Sequence, residues 1–282
     1  MVTVHDFPDP DDLKASIFVN WVKMWEIAGK FHREMYQTEA SLLPSPPFVR
    51  EMINWVQSLP AAIQLPFSTR RTIQFNREVH DLHLGYLTIV MLLYLNKSDN
   101  AVPTAMIPAI AAASCVSRIF KDFLARGSVR FLLTQATWTV ALAILALVHA
   151  RRIETLADCA EEDIRILRTA LAQLAPYSYP GKMFHQGIER ILRHDRVAAN
   201  APSHAAFHED VDQRRSQPAA SASPIDIDGQ WTEFFPYLAP ETSPLIASLL
   251  ASHGTLSTFA GSNWPMDILP VLNEVFTDSY LF

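Results

Sequence analysis

Apolar residues recur along this chain in a helical rhythm. From Asp11 or Asp12, either of which suits an N-cap, the stretch LKASIFVNWVKMWEIAGKFHREMYQ places Ile17, Trp21, Met24, Ala28, Phe31 and Met35 three to four residues apart. That spacing predicts an amphipathic helix ending before the turn LLPSPP. A second helix is predicted for PFVREMINWVQSLP, with Phe48, Met52, Trp55 and Leu59 on one stripe and Pro60 as its stop.

The run VHDLHLGYLTIVMLLYL, residues 79–95, behaves differently. On a 3.6-residue wheel Val79, Leu82, Tyr86, Ile89 and Leu93 form one face, while Leu84, Leu87, Met91 and Leu95 form another. A helix that is apolar all round is buried on all sides, and this one is shorter than the ~20 residues a membrane span needs. The following segment, VPTAMIPAIAAASCVSRIFKDFLARG, reads as a helix opened at or just after a proline and closed by Gly127 in a left-handed C-cap.

Residues 131–150, FLLTQATWTVALAILALVHA, have the length of a membrane span and are bracketed by Arg126, Arg130, Arg151 and Arg152. Thr134, Gln135, Thr137 and Thr139 thin out the first half, and positive charge flanks both ends, so a central core helix is the better reading. CAEEDIRILRTALAQLAPYSYP then turns Ile164, Leu167, Leu171 and Leu174 inward, and GKMFHQGIERILRHD supplies one more helix.

After that the periodicity collapses. Residues 198–228 are rich in Ala, Ser, Pro and mixed charge without an apolar face, which predicts a disordered linker. GQWTEFFPYLAPE and NWPMDILPVLNEVFTDSYLF, beyond it, mix aromatic and aliphatic residues with acids and prolines. The pattern predicts an all-α protein: a helical body over residues 6–196, a linker over 198–228 and an acidic-aromatic tail over 229–282.

Composition sharpens this picture. The chain is 49% hydrophobic and 18% charged, with 8 glycines and 19 prolines, which suits long helices punctuated by proline rather than hairpins or phosphate loops. Every Lys and Arg lies at or before Arg215, so the first 215 residues carry a net +1 and the remainder −7. Cys115 and Cys159 stand far apart with no C-x-x-C pairing, so they build neither a disulfide framework nor a zinc cluster, and a reducing compartment is expected. Residues 1–30 carry no apolar signal-peptide core, and HDFPDPDDLK is acidic where a transit peptide would be basic.

Few residues invite chemistry. His80 and His83, one helical turn apart, have a spacing that binds a transition metal if a third ligand arrives from elsewhere; the alternative is that one or both are ordinary polar residues at the wetter end of the helix, hydrogen-bonded or solvated. His204 and His208 lie in the predicted linker. No nucleophile elbow, dinucleotide or phosphate-binding loop, or H-E-x-x-H motif occurs. Cys115, among small residues in AAASCVSR, reads as a buried side chain rather than a nucleophile. Basic residues are scattered, so no face tracks a nucleic-acid backbone. No catalytic residue, metal ligand or cofactor is expected.

Five stretches in order, MWEIAGKFHREMY, WVQSLPAAI, LHLGYLTIVMLLYL, AASCVSRIFKDFLARGSVRFLLTQATW and AILALVHARR, resemble the middle homology (regulatory) domain of fungal zinc-cluster transcription factors. The subgroup they are most similar to is that of the cutinase and acetamidase regulators, and the likeness covers roughly residues 6–193. The sequence departs from the family at Leu87, where a histidine is frequent, at Asn96-Lys97, where an Arg-Pro is frequent, and at YSYP, where a tryptophan is common. The family's six-cysteine, two-zinc DNA-binding module needs more thiols than this sequence has. The chain is thus read as a fragment, a shortened gene model or a stand-alone module.

The resemblance implies a non-enzymatic regulator of RNA polymerase II transcription in the nucleus. Its expected partners are a coactivator or other transcription proteins, with room for a small-molecule effector and for a homodimer. DNA would be reached only through a separate module, zinc belongs only to that module, and no membrane is involved. The tail adds a candidate partner-binding surface, with Trp231, Phe234, Phe235, Trp264, Leu269 and Phe276 as apolar anchors kept in solvent by neighbouring acids. The alternative is that the tail docks on the body as a C-terminal helix, against which prolines at 236, 240, 244, 265 and 270 argue. The alternative function is a helical small-molecule binding protein or enzyme with an apolar pocket; the acids of DPDD and EED read as caps and solvated faces.

Overall fold

The computed structural model describes residues 2–9, 12–37, 45–65, 75–96, 104–132, 135–200 and 231–252. The helices, in chain order, are α1 (Leu13–Gln37), α2 (Pro46–Gln57), α3 (Arg77–Tyr94), α4 (Ile107–Ala125), α5 (Gln135–Ala150), α6 (Ala157–Leu174), α7 (Tyr179–Asn200) and α8 (Pro244–Ala251). Extended structure among the described residues is one antiparallel pair, β1 (Leu95–Asn96) with β2 (Thr104–Ala105), in the register Leu95 opposite Ala105 and Asn96 opposite Thr104. The protein is all-α.

Helix α3 is the centre of the fold. It packs against α1, α4 and α5, and α4 in turn packs against α5, α6 and α8. Both of its predicted apolar faces are buried apart from Leu95, which is half-buried just past the helix end; Leu92 alone among the large apolar residues of α3 is exposed. Its start is fixed by Asn76, whose side chain accepts from the Val79 amide at 3.0 Å. Helix α5 is likewise buried almost all round, and no helix among the described residues is long and apolar enough to cross a membrane.

Local chemistry sets the helix ends as the pattern predicts. Gly127 has φ 62°, and its amide donates to the Leu124 carbonyl while the Ser128 amide donates to that of Phe123. This is the Schellman arrangement, in which a left-handed glycine lets the chain turn back onto the last carbonyls of α4. In α2 the predicted stripe Phe48, Met52, Trp55 and Leu59 is buried. In α6 the same holds for Ile164, Leu167, Leu171 and Leu174. Arg168 of α6 donates two hydrogen bonds to Glu189 of α7, at 2.8 and 2.7 Å, pinning those helices at their half-buried seam.

Helix α1 follows the expected stripe where its side chains are described. Met24 is buried and Ile17, Trp21 and Ala28 pack half-buried against the core, while Phe18 and Trp25 are exposed. Ala15 and Val19, about half a turn of the wheel away from Met24, are buried as well, so the helix is covered on a second side near its start. The Trp55 indole donates to the Asn20 carbonyl at 3.0 Å and so ties α2 to α1. Against α3 the approach is tight at Gly85, where a Cβ would meet the Met24 terminal methyl at 2.8 Å.

The expected division of the chain needs one correction. Helix α7 runs to Asn200, past the boundary placed at Arg196, and most of the predicted linker lies outside the described residues. Residues 231–252, assigned to a separate tail, belong instead to the same continuous apolar core as α2 to α7. Residues 253–282 lie outside the described residues.

At Gly85, alanine gains helix propensity of about 1 kcal/mol while pushing the flexible end of Met24, so Gly85→Ala should leave the urea midpoint nearly unchanged. Gly85→Leu, which has no room between α1 and α3, should cost about 2–3 kcal/mol.

Candidate functional site

Of the residues singled out for chemistry or binding, His83, Trp231, Phe234 and Phe235 come together where α2, α3 and α4 meet the segment 231–252. At the start of α3, the His80 Nδ1–H donates to the Asn76 carbonyl at 2.6 Å, and the ring lies between Phe75 and Phe123. One turn later, the His83 Nε2–H donates to the Ile63 carbonyl at 2.9 Å. Both rings are hydrogen-bonded, as one form of the alternative has it, but they are buried, so this end of the helix is not its wetter one. Burial favours the uncharged imidazole and brings His83 down to about 4. Each ring thus commits one nitrogen to donating to a backbone carbonyl. Among the described residues, no three His, Cys, Asp or Glu side chains are grouped to hold a metal ion.

Beyond His83 an aromatic column begins. Trp55 of α2 stacks on Tyr86 of α3, with centroids 5.2 Å apart and planes 21° from parallel. The Tyr86 hydroxyl donates to the Phe234 carbonyl at 3.0 Å, and Tyr94, two turns on, meets the Phe234 ring edge-on at 5.5 Å. Phe234 contacts Phe235, which contacts Trp231. Tyr237 closes the column from the other side: its hydroxyl donates to the Val56 carbonyl at 2.9 Å, and its ring lies edge-on to His83. Burial raises the phenol pKa of Tyr86 well above its usual value and that of Tyr94 to about 12, so both remain protonated donors at physiological pH.

Three of the six predicted anchors therefore lie inside the body. Trp231, Phe234 and Phe235 are buried, whereas Glu233, Pro236 and Glu241 face solvent. This corrects the picture of aromatics held in water by neighbouring acids: the acids face solvent and the aromatics are packed. Trp264, Leu269 and Phe276 lie outside the described residues.

The segment's second tie is polar. Ser243 caps α8, its Oγ accepting from the Ile246 amide at 3.1 Å. Its own hydroxyl donates to Ser114 Oγ of α4 at 2.7 Å, and Ser114 donates to Asp163 Oδ2 of α6, also at 2.7 Å. The direction follows from the ends of this string, since an ionised carboxylate only accepts and the capping oxygen is already accepting. Burial is the main influence on Asp163 and pushes its carboxyl up to about 6. The Ser114 and Ser117 hydroxyls and Lys121 pull it back, and Glu162 adds to the rise. Ser117 Oγ is buried without a hydrogen bond of ordinary geometry. The Cys115 thiol beside this cluster is pushed up by burial and by the Asp163 charge, so it is held as an inert thiol.

Sequence reading missed Tyr86, Tyr237, Ser114, Asp163 and Ser243 as parts of one site. A signal for α8 was present in Ser243-Pro244, the pairing of a capping serine with proline at the first helical position, followed by LIASLL. No family model, curated protein or solved structure matches this chain.

Two predictions test the site. Phe234→Ala should destabilise the protein by about 3–5 kcal/mol, and Tyr86→Phe, which strands a buried carbonyl, by about 1–3. Glu233→Gln should change stability by less than about 0.5 kcal/mol in the same denaturant titration. Asp163 ionises near 3.8 when unfolded and near 6 when folded, so folding takes up a proton between those values. The penalty of burying its charge is absent below about pH 4 and complete above about pH 6, reaching about 3 kcal/mol. Asp163→Asn should therefore gain stability relative to the parent by about that amount between pH 4 and pH 7.5; a difference that stays flat with pH would show that the carboxyl is not perturbed.

Proposed function

We propose that this chain is the regulatory module of a fungal zinc-cluster transcription regulator of the cutinase and acetamidase type. It would act in the nucleus through a coactivator or another transcription protein, by binding rather than by catalysis, and would reach DNA through a separate module. The observation that carries this reading is where the five resembling stretches fall. MWEIAGKFHREMY lies in α1, WVQSLPAAI closes α2, LHLGYLTIVMLLYL is α3, and the remaining two run from α4 to the end of α5. These helices pack on one another through α3 and around the seat of the aromatic segment, so the residues behind the resemblance also build the surface that holds it. In this reading, a partner that takes Trp231, Phe234 and Phe235 must compete with the body for them, which makes their exposure a regulated quantity.

The test is a fusion of the full chain to a heterologous DNA-binding domain in a yeast reporter strain. Weakening the seat with Tyr86→Phe and Ser243→Ala together should shift the released fraction about tenfold or more for each 1.4 kcal/mol removed, and reporter output should move by at least about threefold from that of the intact fusion. Output equal to the DNA-binding domain alone in both fusions, at matched protein levels, would overturn the proposal.

A further inference from the structure

Residues 231–252 are attached to the body in the manner of a bound peptide. The backbone hydrogen bonds of the segment among the described residues are local turns, such as Phe235 to Thr232, Leu238 to Phe235 and Thr242 to Ala239. Its polar ties to the body run through side chains: Tyr86 to the Phe234 carbonyl, Tyr237 to the Val56 carbonyl, and Ser243 to Ser114. Its apolar ties are two sets of buried anchors, Trp231, Phe234 and Phe235 against α2, α3 and α4, and Leu245, Ile246 and Leu249 of α8 against α4 and α6. Helices α3 to α6 pack directly on one another without it. Residues 201–230 connect it to α7, and thirty residues of chain span at most about 100 Å. That length does not restrict the segment to its own body.

We infer that residues 231–252 are an exchangeable ligand of the α2–α3–α4 groove, which recognises the pattern Trp-x-x-Phe-Phe-x-Tyr and accepts this segment from a second copy of the chain as well as from its own. Recognition has two elements, aromatic rings filling the space beside Tyr86 and Tyr94, and hydroxyl donors reading backbone carbonyls on both sides. In trans the same contacts would form, and the tether decides which copy wins by setting the local concentration of the segment. The inference goes beyond the transcriptional reading and stands whatever the module is joined to.

The experiment uses the full chain with a site-specific protease sequence inserted between Arg215 and Ser216. After cleavage the C-terminal piece should co-elute with the body on gel filtration at micromolar concentration. A fluorescent synthetic peptide of residues 229–252 should then enter the nicked complex, read as a rise in anisotropy. Phe234→Ala with Phe235→Ala in the resident segment should speed peptide entry by at least about tenfold, the milder Tyr237→Phe by about threefold, and Glu233→Gln by less than about twofold. Mixing two differently tagged, uncleaved chains at high concentration should yield a mixed dimer that the free peptide dissolves. If the C-terminal piece leaves and the peptide does not bind, the groove is not a reading site and the inference fails. If the piece stays but no peptide enters over days for any variant, the segment is a permanent part of the core and the inference fails equally.

Discussion

A helix with no polar face cannot be left at a surface, and the architecture answers that constraint at α3. Its side chains from Val79 to Tyr94 are almost continuously apolar, so each side needs its own cover: α1 where Gly85 admits Met24, Trp55 of α2 over Tyr86, α4 and α5 along the rest. Burial at about 25 cal/mol per Å² of apolar surface rewards each cover separately. Phe234 adds to that cover, its carbonyl accepting from the Tyr86 hydroxyl and its ring meeting Tyr94 edge-on. The aromatic segment thus completes the burial of the central helix.

Completion brings a polar liability with it. A hydroxyl or carbonyl drawn into the core must find a partner there, or folding loses about 1–3 kcal/mol. Tyr86 and Tyr237 meet this demand by donating to a backbone carbonyl across the seam, which fixes the segment's register as well as its position. Ser243 and Ser114 meet it by passing their donors along to Asp163. The same string leaves a carboxyl in a place that disfavours its charge. His83 is the opposite case: it is buried neutral, so acidification from about 6.5 to about 4 charges the unfolded chain first and weakens the fold. The two residues pull in opposite directions over nearly the same pH range, so their own contributions partly offset each other.

The helices were legible wherever one pattern had one explanation. The stripe in α2, the all-round burial of α3 and the C-cap at Gly127 follow from spacing and residue chemistry alone. The face of α1 was legible in part: Met24, Ile17, Trp21 and Ala28 lie on the core side, but nothing in their spacing showed that Ala15 and Val19, on another side of the wheel, are buried too. The histidines carried a polar prior that the carbonyls of Asn76 and Ile63 overrode, and those partners are set by tertiary contact or by a cap. The segment 231–252 was misread through its prolines. Pro240 and Pro244 each stand at the first position of a helical turn, where the missing amide hydrogen is not needed, so they start structure rather than break it. The −7 beyond Arg215 also pointed outward, and the described acids Glu233 and Glu241 do face water, but the sign of a segment's charge says nothing about which way its aromatics turn.

Amphipathic, aromatic and acidic sequence is common to two kinds of segment: one that waits in solvent for a partner, and one that lies against its own protein with its acids outward. Here the second arrangement is populated, and it is built from contacts that a partner's groove would have to reproduce. The two are linked by mass action, because every side chain that anchors the segment internally is subtracted from what it offers elsewhere. A tight seat therefore lowers apparent affinity for an outside partner by the fraction of time the segment is free, and a loose one leaves Tyr86 and Tyr94 without the cover of Phe234. Tuning lies in the ties that can be weakened without emptying the core. The hydroxyls of Tyr237 and Ser243 are such ties, since removing either leaves the rings and the aliphatic anchors in place. Phe234 is not, because it serves the burial of α3 and the recognition of the segment at once.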